Sequence, residues 1–244
     1  MSIQRRFGWL HELPDYRDVP YNLKAVSLPK SVDLSDKQSP IKDQGTLGSC
    51  TANALAGVLE YNEPKDSKLI ELSRLFIYYI ERAYEGTVNS DSGAMIRDGI
   101  KMLAKLGVCP EEMWPYLIEK FTRKPIKKCY KAALERRITS YATMDALPQM
   151  KQCLADGFPF AFGFTVYESF MSEKTAQTGI VTMPESGEGV CGGHAVIGVG
   201  YDDDKQVIKV RNSWGKAWGN KGYFYLPYAY TDKSLSDDYW QVSK

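Results

Sequence analysis

The hydrophobic pattern of this chain changes after its first half, and that change limits the folds open to it. In the first part, apolar residues recur at helical spacing, which predicts helices over residues 50–64, 71–85, 94–106 and 146–156. From residue 160 onwards, short β-prone runs separated by Gly, Asp and Asn predict strands over residues 160–166, 179–182, 195–201, 206–210 and 222–226. Helices followed by strands predict an α+β fold, or two subdomains around a cleft.

The first 27 residues show neither pattern, and Pro14 and Pro20 interrupt any regular period. They nevertheless contain several large apolar side chains, which are Phe7, Trp9, Leu10, Tyr16 and Tyr21. We therefore expect this N-terminal arm to pack on the body of the protein.

Composition excludes several classes of partner. The 244 residues are 43% hydrophobic and 25% charged, as in an ordinary globular protein, and the formal net charge is +1. A field this weak predicts no nucleic-acid and no membrane partner. One basic cluster lies between residues 123 and 137; a solvated helix face explains it, and a polyanion site is the alternative.

The N-terminus gives the only indication of location. It begins Met-Ser-Ile-Gln-Arg-Arg and lacks the apolar run of a secretory signal peptide. We expect a cytoplasmic protein, or a secreted one if a targeting segment has been removed.

The cysteines do not form a disulfide framework or a zinc motif. Their number is odd, no CxxC occurs, and the chain has two histidines; the cysteines are Cys50, Cys109, Cys129, Cys153 and Cys191. We expect mostly reduced thiols, no metal and no cofactor, while one or two bridges among the last four cysteines remain open.

Cys50 is the candidate nucleophile. It follows Gln44 by six residues and stands where the first predicted helix begins. Unpaired N–H groups and the positive end of the helix dipole favour the thiolate there. A small buried cysteine is the alternative interpretation of this residue alone.

His194 and Asn212 supply the other two groups that a cysteine nucleophile needs. A base keeps the thiol ionised, and a third group orients the base. The two residues lie at the start and just past the end of successive predicted strands joined by a turn at residues 202–204, so they can approach each other. Taken singly, each is better explained as a structural residue, His194 as a structural histidine and Asn212 as a turn asparagine.

Five ordered motifs together make the chain resemble the papain-like cysteine peptidases. They are Val32-Asp33, the segment from Gln44 to Cys50, the segment from His194 to Tyr201, Asn212-Ser213-Trp214-Gly215, and the segment from Trp218 to Tyr223. The likeness covers residues 28–227. It implies a helical left lobe, over about 36–140, and an antiparallel, β-barrel-like right lobe, over about 141–244, with the active-site cleft between them. Residues 1–27 are then an N-terminal extension to a domain at 28–244.

The resemblance also implies roles. Cys50 would be the nucleophile, His194 its base, Asn212 the group that orients His194, and Gln44 an oxyanion donor. Substrate-binding residues would be Ser92, Gly93, Met95, Gly163, Gly193 and Trp214, with Gly163 flooring a pocket for a bulky apolar side chain. The sequence departs from the family at Leu47, where many relatives have a bridged cysteine.

The expected function is that of a cysteine endopeptidase acting on peptide or protein substrates through a thioester acyl-enzyme. The alternatives are an acyl transferase or transpeptidase on the same triad, and an inactive peptide-binding homologue. The arm at residues 1–27 either folds back to inhibit the cleft or completes the body.

Overall fold

The protein is represented by a computed structural model that describes residues 5–63, 70–232 and 234–243. The helices are α1 (Cys50–Tyr61), α2 (Arg74–Glu85), α3 (Ile96–Leu106), α4 (Lys127–Ala133), α5 (Leu147–Ala155) and α6 (Glu173–Thr178). The strands are β1 (Ser31–Asp33), β2 (Ser140–Met144), β3 (Phe160–Tyr167), β4 (Val190–Asp202), β5 (Val207–Arg211), β6 (Tyr223–Pro227) and β7 (Ser236–Ser243). The predicted α+β class is confirmed.

The described strands form one antiparallel sheet. Its order is β2-β7-β3-β4-β5-β6, and β1 pairs with β4 outside this path. Because β2 and β6 are its two ends and do not pair with each other, the sheet is open, although a barrel-like lobe was expected.

Helix α1 is the centre of the molecule. Eleven of its twelve residues are buried, because Ala, Gly, Leu and Val occupy most of its surface instead of one face. The helix lies so close to the sheet that a Cβ atom added to Gly57 would stand 2.5 Å from Cδ1 of Ile197 on β4. This packing brings the first residue of α1 beside the same strand.

Strand register positions two of the candidate residues. His194 lies on β4 opposite Phe164 of β3, and further along β4 Ile197 pairs with Arg211, the last residue of β5. Asn212 follows directly, so the turn between β4 and β5 returns it toward His194.

Two sequence expectations about strands were incomplete. The segment predicted as a strand at residues 179–182 makes a single bridge, from Ile180 to Tyr225. Gly179 instead ends α6 with φ of +71°, a left-handed conformation suited to glycine. Strands β1, β2 and β7 were missed. Strand β7 carries adjacent acidic residues, Asp237 and Asp238, that weaken a strand pattern.

The cysteines and the helix lengths bear on two other expectations. All five cysteines are free thiols in this structure, so none of the bridges left open by the sequence is formed.

Within the described ranges, no helix is both long and apolar enough to cross a bilayer.

Arg82 fixes the loop that leads to the cleft. Its side chain is fully buried on α2, and its guanidinium donates to the carbonyl oxygens of Val88 (2.7 Å), Ser90 (3.0 Å) and Phe121 (2.5 Å). The same group lies 4.0 Å from the ring centroid of Tyr78. One side chain therefore joins α2, the loop before residue 91 and the segment at Phe121.

We predict that Arg82→Ala lowers the free energy of unfolding by about 3 kcal/mol, because buried carbonyl groups lose their donors. Equilibrium unfolding in urea measures the change. The control is Arg123→Ala, at an exposed position, with an expected effect within about 0.5 kcal/mol. Equal small effects of the two substitutions would contradict this role for Arg82.

Candidate active site

Cys50 is the first residue of α1, and its side chain has no exposed surface. Burial raises the pKa of its thiol to about 11, although backbone N–H groups of Ala195, Gly8 and Thr51 act in the opposite direction. The sulfur therefore lies against β4 on one side and against the N-terminal arm on the other. In this state the thiol is protonated at neutral pH.

His194 is held by Asn212. Its Nε2 lies 2.8 Å from Oδ1 of Asn212, and that oxygen also accepts the backbone N–H of Ser213 at 2.8 Å. Because Oδ1 is an acceptor, the hydrogen-bond network assigns the ring proton to Nε2. The other nitrogen, Nδ1, is left free to act as a base, and it has no hydrogen-bond partner among the described residues.

The imidazole is fully buried and stacks on Trp214, with ring centroids 4.8 Å apart. Burial lowers the pKa of His194 to about 4; the bond to Asn212 raises it, and the charge of Arg5 lowers it further. In the described state the Cys50 thiol and the His194 imidazole are therefore both neutral.

Gln44 directs an amide donor into the cleft. Its side chain is fully buried, Oε1 accepts the hydroxyl of Ser213 at 2.7 Å, and Nε2 donates to the carbonyl of Leu47 at 3.0 Å. Nε2 also lies 3.3 Å from the carbonyl oxygen of Arg6 in the arm. The amide is thus oriented by the protein and faces a peptide carbonyl.

Asp91 holds the loop between Gln44 and Cys50. Its Oδ1 accepts the backbone N–H of Gly48 at 3.0 Å and the hydroxyl of Tyr78 at 2.5 Å. Sequence reasoning assigned no role to Asp91, because nothing in the pattern connected residue 91 with residue 48.

The N-terminal arm runs through the cleft in extended form. The N–H of Ala94 donates to the carbonyl of Gly8 (2.8 Å), the N–H of Leu10 donates to the carbonyl of Ala94 (3.1 Å), and Trp9 N–H donates to the carbonyl of Gly193 (3.0 Å). At Gly8 the backbones touch, since an added Cβ atom would stand 1.8 Å from the oxygen of Gly48. The arm thus bonds to both walls of the cleft.

The side chain of Trp9 fills a pocket lined by glycines. An added Cβ on Gly163 would stand 1.9 Å from the Trp9 ring, and one on Gly193 would stand 2.8 Å from it. At the far end, the indole N–H donates to Oδ2 of Asp238 at 2.8 Å. The space for this ring exists because these two residues lack side chains.

Upstream of Gly8, the arm covers the rings of His194 and Trp214. Phe7 packs edge-on against His194 with centroids 6.4 Å apart, and it also contacts Trp214 at 6.3 Å. Arg5 donates to Asp43 (2.5 Å) and to the carbonyl of Trp214 (3.0 Å). Access to His194 from this side is closed.

The remaining residues proposed from sequence lie as follows. Gly93 faces the arm, since an added Cβ would stand 2.3 Å from the oxygen of Gly8. Ser92 bonds instead to Thr87 at 2.9 Å, and Met95 is half-buried at the start of α3. The sequence did not single out Ala94 or Asp238, both of which contact the arm.

One group of side chains has the residue types of a metal site. His11, Asp237 and Asp238 offer ligand atoms within 4.8 Å of one another. The Oδ2 atom of Asp238 already accepts hydrogen bonds from the Trp9 indole and from the backbone N–H of Glu12. This arrangement is fully explained as the attachment of the arm.

Comparisons with known proteins agree with this architecture. The family profile described as papain family cysteine protease matches residues 28–237. An uncharacterized peptidase C1-like protein of Acanthamoeba polyphaga mimivirus is 41% identical, over 100% of this chain and 88% of its own length. Cysteine proteinase 3 of Entamoeba histolytica is 27% identical, over 92% of this chain and 70% of its own length.

A solved structure shares the fold over the whole chain. Xylellain, a cysteine protease from Xylella fastidiosa, superposes with a TM-score of 0.92 at 41% identity, over 100% of this chain and 99% of its own. The digestive procathepsin L 3 of Tenebrio molitor, at 19% identity and a TM-score of 0.73, shares the fold over 93% of this chain and 74% of its own.

We predict that iodoacetamide alkylates Cys50 slowly at pH 5, because beneath the docked arm the thiol has no exposed surface and a raised pKa, and that the rate rises with pH as the thiolate fraction grows. The full chain is labelled and then digested, and mass spectrometry of the peptides measures the extent of alkylation at each cysteine. Cys191, which is exposed, is the internal comparison for reagent activity. Rapid alkylation of Cys50 at pH 5 would contradict a thiol that is both covered and neutral.

Proposed function

We propose that this chain, which belongs to the papain family of cysteine proteases and is a peptidase, cleaves internal peptide bonds through a thioester acyl-enzyme. The observation that carries the proposal is the His194–Asn212 hydrogen bond of 2.8 Å on a strand packed against the helix that begins with Cys50. A base oriented in this way leaves Nδ1 available to the thiol.

The first half of the proposed reaction forms the acyl-enzyme. His194 takes the thiol proton, and the Cys50 sulfur attacks the carbonyl carbon of the substrate. The Gln44 amide and the backbone N–H of Cys50 donate to the oxyanion. Imidazolium His194 then protonates the leaving amine, and a thioester remains on Cys50.

The second half releases the product. His194 accepts a proton from water, which attacks the thioester, and the carboxylic acid leaves as the thiol is restored. Asn212 keeps the His194 ring in the tautomer that both halves of the reaction need. Trp214, which stacks on this ring, excludes water from the hydrogen bond between His194 and Asn212.

We further propose that the N-terminal arm inhibits the peptidase of its own chain. The proposal is supported by its contacts, since Gly8 and Trp9 use the backbone groups of Ala94 and Gly193 that would bind an extended substrate. The arm presents an N–H group of Gly8 to the sulfur of Cys50, and an N–H group cannot accept a nucleophile. It therefore occupies the cleft without being a substrate.

We predict that Gly8→Ala raises the initial rate of hydrolysis of a fluorogenic peptide about tenfold or more, because the new methyl group overlaps the Gly48 carbonyl and displaces a competitor present at millimolar effective concentration. The control, Tyr16→Ala, alters an arm side chain that is 99% exposed, and we expect it to leave the rate unchanged. If Gly8→Ala and the unaltered chain hydrolyse the peptide equally, the arm is not an inhibitor.

We predict that Cys50→Ala, introduced into the Gly8→Ala chain, reduces hydrolysis to the background rate, because no other described group replaces the sulfur. Peptide cleavage profiles measure activity, and circular dichroism verifies folding. Cys191→Ala should retain activity. Turnover that survives Cys50→Ala would exclude Cys50 as the nucleophile, and transfer to an added amine in place of hydrolysis would favour an acyl transferase.

A further inference from the structure

Arg74, the first residue of α2, is a buried cation that the proposed reaction does not use. It is 8% exposed, and its Nη1 donates to the carbonyl oxygen of Asp43 at 3.3 Å and to Oδ1 of Asn53 at 3.1 Å. Its Nη2 lies 3.6 Å from a carboxylate oxygen of Glu111. One guanidinium group therefore contacts both the residue before Gln44 and the beginning of α1.

Asn53 extends this contact to the peptide group before Cys50. Because a guanidinium can only donate, the hydrogen-bond network directs Oδ1 of Asn53 toward Arg74 and leaves Nδ2 as a donor. Nδ2 donates to the carbonyl oxygen of Ser49 at 2.9 Å, and the backbone N–H of Asn53 donates to the same oxygen at 3.0 Å. That carbonyl and the N–H of Cys50 belong to one planar peptide group, so these bonds fix the direction of the N–H.

Tyr116 makes the corresponding connection to Gln44. Its hydroxyl lies 2.5 Å from Oγ of Ser49 and donates to the carbonyl oxygen of Gln44 at 2.9 Å. Burial raises the pKa of Tyr116 to about 12, so the hydroxyl keeps the proton that it donates. The Tyr116 ring also lies under the guanidinium of Arg74, with 4.0 Å between Cζ and the ring centroid.

These bonds form one chain in which the direction of every donor is determined. Nδ2 of Asn53 donates to Oγ of Ser49 at 3.2 Å, and because the Tyr116 proton is used on Gln44, Ser49 donates to Tyr116. The chain thus begins at the cation of Arg74 and ends at the carbonyl of Gln44. In a buried site, a charged donor at the start of such a chain polarises and strengthens the bonds that follow.

The two ends of this network carry the two groups proposed to stabilise the oxyanion, which are the side-chain amide of Gln44 and the backbone N–H of Cys50. Ser213 orients the Gln44 amide itself, whereas the network holds the backbone on both sides of Gln44. Both donors must reach one oxygen atom, and each contributes fully only at about 2.7–3.1 Å from it. Their relative placement therefore decides their effect.

We propose, on the basis of the proposed peptidase function, that Arg74 is a positioning residue for the oxyanion site, where it sets the spacing and direction of the Gln44 amide and the Cys50 N–H without touching the substrate. The oxyanion exists only in the tetrahedral intermediates and in the transition states that flank them. The contribution of Arg74 therefore belongs to kcat and not to KM.

Two variants interrupt the network in different places. Arg74→Met removes the charge and the donors and keeps an unbranched apolar stem. Tyr116→Phe is the milder change, because it keeps the ring and removes only the hydroxyl that joins Ser49 to Gln44. Arg123→Met, at an exposed position, is the matched control. Circular dichroism verifies the folding of each form.

The first experiment measures hydrolysis of a fluorogenic peptide by the full chain carrying Gly8→Ala. We expect Arg74→Met to lower kcat about tenfold or more while KM changes less than about twofold, because a misplaced oxyanion donor loses much of its effect. Tyr116→Phe should lower kcat in the same way, and Arg123→Met should change neither constant.

A double-mutant cycle with Gln44→Ala separates positioning from a general loss of structure. Once the amide is absent, only the Cys50 N–H remains to be positioned, so we expect Arg74→Met to lower kcat about threefold or less. A reduction that is as large without Gln44 as with it would overturn the positioning proposal and leave the peptidase proposal intact. An unchanged kcat in both Arg74→Met and Tyr116→Phe would overturn it equally.

Absence of cleavage by the chain carrying Gly8→Ala would instead contradict the peptidase proposal. A second experiment tests the role of Arg74 in that case, because it needs no turnover.

The second experiment follows hydrogen exchange in the full chain carrying Cys50→Ala, at the N–H groups of Gln44 and Leu34. Both donate to backbone carbonyls, at 2.9 and 2.8 Å, but Leu34 belongs to no part of the network. Arg74→Met should speed exchange at Gln44 about tenfold or more and leave exchange at Leu34 nearly unchanged. Equal acceleration at the two sites, or none at Gln44, would contradict a local hold of Arg74 on Gln44.

Discussion

The close packing of α1 on β4 is the contact on which the candidate site depends. A helix made largely of small and aliphatic residues can approach a sheet until Gly57 meets Ile197. That approach places the sulfur of Cys50 against the backbone N–H of Ala195, the residue after His194. The sheet register then places Asn212 in hydrogen-bond contact with His194, so that residues from α1, β4 and the end of β5 lie in one region of the molecule.

Covering the site changes its charge state as well as its accessibility. Under the arm, burial raises the pKa of Cys50 and lowers that of His194, so both changes favour neutral groups. Asn212 and the backbone N–H groups near the sulfur favour the charged forms instead. Hydration of the site on departure of the arm would reduce the first effect. The N–H group of Gly8 would leave with the arm, whereas Asn212 and Ala195 belong to the body of the protein and would still favour the charged forms.

Local signals in the sequence were enough for the helices α1, α2, α3 and α5 and for the order of the motifs, but not for the short helices α4 and α6. The helix that begins at Cys50 could be predicted, because its composition favours a helix and its hydrophobic pattern begins at the same position. Strand β7 could not be predicted, because Asp237 and Asp238 interrupt its hydrophobic pattern. This segment is held as a strand by contacts with the arm and by pairing with β2 and β3. Asp91 was beyond prediction for the same reason, because its partner Gly48 is a backbone group 43 residues away. The course of the arm was left between two alternatives, since aromatic content indicates that a segment packs but not where.

The contact between Trp9 and Asp238 joins residues 229 positions apart, and it crosses a groove whose walls come from separate parts of the chain. Contacts of such long range form only after the intervening polypeptide has ordered, because closing so large a loop in an unfolded chain costs conformational entropy. The arm precedes the body of the protein in the chain, yet its binding surface is completed by β7, which follows every other described strand. We therefore expect its docking to be the final step of folding, which means that every newly made molecule passes through a brief interval with an uncovered thiol.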